Sequence, residues 1–126
     1  MELFSLVRAC KCRKPRGGAF RNPEDERQFI ASYRHIAETQ HSVRLYPVSD
    51  SQIVEIRQRV AVAFRKGARV RKEVLSEQRA DFIAFKFLLL YEMLGEHAMN
   101  EYLKYEVRYY ARHGLRAEYH KEPQLP

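Results

Sequence analysis

Residues 49–67, Ser-Asp-Ser-Gln-Ile-Val-Glu-Ile-Arg-Gln-Arg-Val-Ala-Val-Ala-Phe-Arg-Lys-Gly, decide the fold class. Ser49-Asp50-Ser51 offers a helix cap at one end, and Gly67 offers a stop after Arg65-Lys66 at the other. Between them Ile53, Ile56, Val60 and Phe64 recur at helical spacing and share one face, while Arg57, Arg59 and Arg65 fall on other sides. A stripe of this kind must be covered by further helices, because one helix cannot bury its own apolar face.

The flanking sequence supplies them. Upstream, Asn22-Pro23-Glu24-Asp25-Glu26 reads as a helix start: a capping side chain, a proline at the first helical position and acids at the positive end of the dipole. A first helix is expected from about Pro23 to about His41, with Phe29, Ile30, Tyr33, Ile36 and Ala37 forming its apolar stripe. Residues 43–48, with Pro47, form a connector. Downstream, a third helical region is expected from near Arg71 to Ala111, apolar through Val74, Leu75, Phe82, Phe85 and Leu89. Gly95 marks its kink or end, since glycine costs about 1 kcal/mol against alanine inside a helix. Tyr102, Tyr105, Tyr109 and Tyr110 belong either to a fourth helix on the bundle or to a docking face. The expectation is an all-α, antiparallel three-helix bundle over 22–112, with a possible fourth C-terminal helix or helix extension, then an extended tail over 113–126.

Composition agrees with one helical domain. The chain has 126 residues, 45% hydrophobic and 31% charged, with 5 Gly and 5 Pro. Its net charge is +7, and arginine outnumbers lysine 16 to 7, so an acidic partner is expected: nucleic acid, an anionic lipid surface or an acidic protein. Residues 1–21 hold Arg8, Lys11, Arg13, Lys14, Arg16 and Arg21 against the single acid Glu2. They read as a basic arm or as a mitochondrial targeting-like segment. Cys10 and Cys12 lack a second nearby pair of ligands, so free thiols are expected there rather than a zinc site. The longest apolar run, Phe82 to Leu94, is broken by Lys86 and Glu92 and is shorter than the roughly 20 residues of a membrane span.

No catalytic constellation stands out. Gly17-Gly18 lacks a phosphate-loop pattern, and Glu96-His97 lacks the second histidine of a helical zinc site. No catalytic residue is assigned, and a non-enzymatic function is expected.

Tyr33-Arg34 on the first helix and Phe64-Arg65-Lys66 ending the second together resemble the LYR-motif family of mitochondrial proteins. Ile30 stands where that family prefers an apolar residue three before the Tyr, and Arg57, Arg59 and Val60 precede Phe64 as its pattern asks. Ser32 departs from it, for the family has Leu there. The resemblance covers roughly Glu26 to Leu103. The spacing from Tyr33 to Phe64, with Glu96-His97-Ala98-Met99, is most similar to the family's subunit of the peripheral arm of respiratory complex I.

The resemblance implies a non-catalytic adaptor on the matrix side of the mitochondrial inner membrane. Its partner would be the acidic mitochondrial acyl carrier protein, bound within a large complex. The cofactor, an acylated 4'-phosphopantetheine, would come from that partner, its chain entering the bundle. Tyr33, Arg34, Arg57, Arg59, Arg65 and Lys66 would then bind the carrier, with Tyr33 at the channel mouth and Ile56, Val60, Phe64 and Phe85 lining the channel. Two alternatives stand beside this reading. One is a basic RNA-binding or mitoribosome-associated helical protein. The other is an LYR protein of another mitochondrial complex or assembly pathway.

Overall fold

The computed structural model describes residues 20–40 and 43–120. Most of the basic arm, with Cys10 and Cys12, lies outside the described residues, as do His41 and residues 121–126. Four α-helices follow one another: α1 (Pro23–Thr39), α2 (Asp50–Val70), α3 (Glu77–Leu94) and α4 (Glu96–His113).

The expected starts of α1 and α2 form as read. Asn22 has extended backbone, and its side chain accepts the Asp25 N–H at 2.8 Å ahead of Pro23. Ser49 and Gln52 make a reciprocal capping box, each side chain holding the other's backbone N–H. The end of α2 and the start of the next helix differ from expectation. Helix α2 does not stop at Gly67 but runs on to Val70. That glycine serves close packing instead: a Cβ there would meet the Tyr110 ring at 2.8 Å. The next helix begins at Glu77, not near Arg71, because Lys72 turns the chain at φ 58° and Ser76 caps by accepting the Arg79 N–H at 3.0 Å. Val74, expected on an apolar stripe, is 96% exposed in this connector.

Gly95 ends α3 and lies directly before α4 with φ 95°, a backbone region open to glycine and strained for other residues. The expected third region is thus two helices, and the C-terminal tyrosines belong to the fourth. Helices α2 and α4 run in the same direction, since Arg59 reaches Asn100 and, farther along, Gly67 meets Tyr110. Helices α1 and α3 run the other way: Phe29 lies beside Phe85, and Tyr33 reaches Glu92. Helices α2 and α3 form the central pair. Each of α1 and α4 packs on both of them, while α1 and α4 make no backbone approach to each other. Phe64 sits at the centre, 5.9 Å from the Phe87 and Tyr110 rings and 6.0 Å from Tyr119.

Residue Tyr119 comes from the segment expected to be extended. Instead Ala117–His120 form a short 3₁₀ turn that buries the Tyr119 ring. Its hydroxyl donates to Glu106 at 3.3 Å, Arg116 donates to the same carboxylate at 2.8 Å, and Arg79 donates to the Tyr119 carbonyl. Glu106 is itself buried in α4, so these partners satisfy a carboxylate that would otherwise be costly there. No described helix is long and apolar enough to cross a membrane.

Candidate docking faces

The Tyr33-Arg34 pair divides between interior and surface. Tyr33 is fully buried, and its hydroxyl donates to Glu92 Oε1 at 2.5 Å. The other Glu92 oxygen accepts the Val48 N–H at 3.0 Å, and Arg44 approaches the carboxylate at 3.5 Å. The Glu92 carbonyl also accepts the Tyr46 N–H at 2.9 Å. Burial, then the Glu92 hydrogen bond and charge, push the Tyr33 phenol well above its ordinary pKa. Tyr33 therefore latches α1 and the α1–α2 connector to α3 rather than standing at a channel mouth. Arg34 is partly exposed and pairs with Asp50 at 2.8 Å, tying α1 to the start of α2.

The cations of α2 fall on two sides. At about 100° per residue, Arg57 and Arg59 point about 200° apart, whereas Arg59 and Lys66, two turns apart, are nearly aligned. Arg57 faces inward at 1% exposure. Its guanidinium pairs with Glu77 and Asp81, both at 2.7 Å, and lies 4.4 Å from the centre of the Phe20 ring. Arg65 pairs with the same Glu77 at 3.0 Å. Burial works to raise both carboxyls. At Asp81 it prevails and the pKa is raised, while at Glu77 the arginines outweigh it and the pKa is lowered. Expected at a docking surface, Arg57 instead joins α2 to the start of α3. An arginine beside an apolar stripe resembles a solvated one until a second helix brings carboxylates to it.

Arg59 and Lys66 face α4. Arg59 contacts Glu55 at 2.9 Å, Glu96 at 3.3 Å and Asn100 at 2.9 Å. Lys66 is exposed and makes no ion pair with a described residue. The six residues expected to form one docking edge thus occupy three places: α1, the α3 side of α2, and its α4 side.

The expected channel residues divide likewise. Ile56, Val60 and Phe64 are at most 1% exposed and pack into the core. Phe85 does border open space. It lines a groove of about 390 Å³ beneath α1, together with Phe20, Phe29 and Phe82, beside Ser32, Arg57 and the carboxylates Asp25, Glu77 and Asp81. A second groove, about 510 Å³, runs between α2 and α4. Val62, Ala63, Leu103 and Val107 make its floor, and Arg59 and Lys66 line it from α2, Lys104 and Arg108 from α4; no carboxylate lines it. Sequence reading missed this second groove, because Val62 and Ala63 lie off the Ile53–Phe64 stripe and gain a neighbour only when α4 folds back. The trace was there in Val62-Ala63, apolar residues flanked by Arg59 and Lys66 on the polar side of an amphipathic helix.

Among the described residues no group of three or more His, Cys, Asp or Glu could hold a metal ion. The first groove has aromatic walls with carboxylates among them, and the second an apolar floor with a cationic rim. Comparison with protein-family models, curated proteins and solved structures finds no match.

Proposed function

We propose that the chain is a non-catalytic adaptor that binds a mitochondrial acyl carrier protein and anchors it in a large complex on the matrix side of the inner membrane. The peripheral arm of respiratory complex I is the assembly its motifs most resemble. The observation that carries this reading is the groove beneath α1, walled by Phe20, Phe29, Phe82 and Phe85. An acyl chain presented by a partner needs an apolar seat open to the surface, and this one adjoins the helix of Tyr33-Arg34. Each methylene buried there contributes about 0.8 kcal/mol.

Charge on this side is a weaker attraction. Helix α1 and its N-cap region carry Arg21, Arg27 and Arg34 against Glu24, Asp25, Glu26 and Glu38, and Arg34 and Arg65 already have carboxylate partners. The net charge of +7 would steer an acidic carrier from a distance, while the hydrocarbon chain would hold it. Carrier affinity should therefore depend more on acylation than on salt. The test is a titration of the full chain with acylated and unacylated carrier protein, repeated with Phe82→Glu, which replaces one of the four aromatic rings with a further carboxylate beside Asp25, Glu77 and Asp81. The wild type should prefer the acylated form, and the variant should lose that preference. Equal affinity of the wild type for both forms overturns the reading.

A further inference from the structure

We infer that the groove between α2 and α4 is a second docking surface, and that its occupant is an acidic amphipathic helix of a protein partner. This rests on the groove alone and not on the carrier reading, whose seat lies beneath α1.

The geometry specifies the occupant closely. Two helices running side by side leave a trough that the side-chain ridge of a third helix fills. The floor of this trough is apolar, with Val62, Ala63, Leu103 and Val107, so the apolar side chains of another helix can pack onto it. Cations stand along both banks. From α2, Arg59 and Lys66 lie seven residues apart, about 10 Å along the axis; from α4, Lys104 and Arg108 lie four apart, about 6 Å. A matching helix carries an apolar stripe with carboxylates on both flanks, spaced i and i+7 on one side and i and i+4 on the other.

The charge here is also available. Lys66 and Arg108 are exposed and make no ion pair with any described residue. Among the described residues Lys104 pairs only with Glu101, at 3.1 Å on the surface of the same helix. Arg59 is the most engaged of the four, and its partners Glu55 and Glu96 are both more than half exposed.

The probe is a synthetic helix with leucines at i, i+3, i+4 and i+7 flanked on both sides by glutamates, titrated with the full chain by fluorescence anisotropy. The wild type should bind it saturably, more weakly as salt rises. Lys66→Glu with Arg108→Glu should weaken binding about tenfold or more. Val62→Thr, nearly isosteric, should weaken it less, by making the floor polar. Phe82→Glu should leave this binding unchanged, which separates it from the carrier site. Absence of binding to the wild type overturns the inference. So does equal binding of a control peptide with lysine for glutamate, or wild-type affinity in the double variant. Phosphatidylglycerol vesicles or a single-stranded RNA that bind the wild type more tightly than the peptide, and are lost in the same variant, would assign the groove to lipid or nucleic acid instead.

Discussion

The two sides of α2 carry the same residue types to opposite ends. Toward α3, Arg57 and Arg65 share Glu77, and Arg57 also holds Asp81, so positive charge is neutralised where helices meet. Toward α4, Lys66 stands exposed on the rim of an apolar trough and pairs with no described carboxylate. A buried charge must be paired to be tolerated, while an exposed one retains its hydration and its capacity to meet a partner. Arginine or lysine in sequence therefore says little about role. The neighbour brought by the fold decides whether it is a joint or a docking point.

The largest effect is expected for Arg57→Met. It keeps much of the side-chain volume but leaves Glu77 and Asp81 without their shared partner. Those carboxylates are partly exposed, so the cost should fall below the range for a fully buried pair, at about 2–3 kcal/mol in a urea denaturation. A loss under about 0.5 kcal/mol would mean that the α3-facing arginine is no more structural than the α4-facing lysine.

A smaller effect is expected in alkali. Burial, followed by the hydrogen bond to Glu73, pushes the Tyr110 phenol up to about 12 from 10.0. A group whose pKa is raised on folding adds stability that is fully present below its unfolded pKa and lost as pH rises through the folded one. Wild-type stability should therefore fall between about pH 10 and pH 12, and Tyr110→Phe should make that fall shallower, the remainder coming from the buried Tyr33 and Tyr119 phenols, which are raised too. An identical profile for the variant would remove Tyr110 as a joint between α4 and the α2–α3 connector. The smallest effect belongs to Lys66→Glu with Arg108→Glu, which should change the thermal stability of the fold by no more than about 0.5 kcal/mol. A large destabilisation there would make the α4-facing cations structural after all.

Much of the architecture was legible because capping and amphipathic spacing are local. Asn22-Pro23 and Ser49 start their helices through hydrogen bonds within a single turn, and Ile53, Ile56, Val60 and Phe64 are buried as their spacing requires. Gly67 and Val74 were misread for the same reason. A glycine that admits the Tyr110 ring looks, in sequence, like one that ends a helix, and a valine in a turn looks like one on a stripe. The candidate site was less legible than the fold. Tyr33 turned inward because Glu92, far along the chain, supplies its hydrogen-bond acceptor.

Local sequence is enough to make this chain helical, to place the starts of α1 and α2, to choose the buried stripe of α2 and to give a positive surplus charge. Those properties depend on residues within a turn or two of one another, or on composition alone. That α4 folds back beside α2, that Tyr119 returns to the core, and which described cations pair with a described carboxylate all follow from the three-dimensional packing. Each of these depends on a contact between residues distant in the chain, and the charge of a side chain is neutralised by whatever the fold places a few ångströms away.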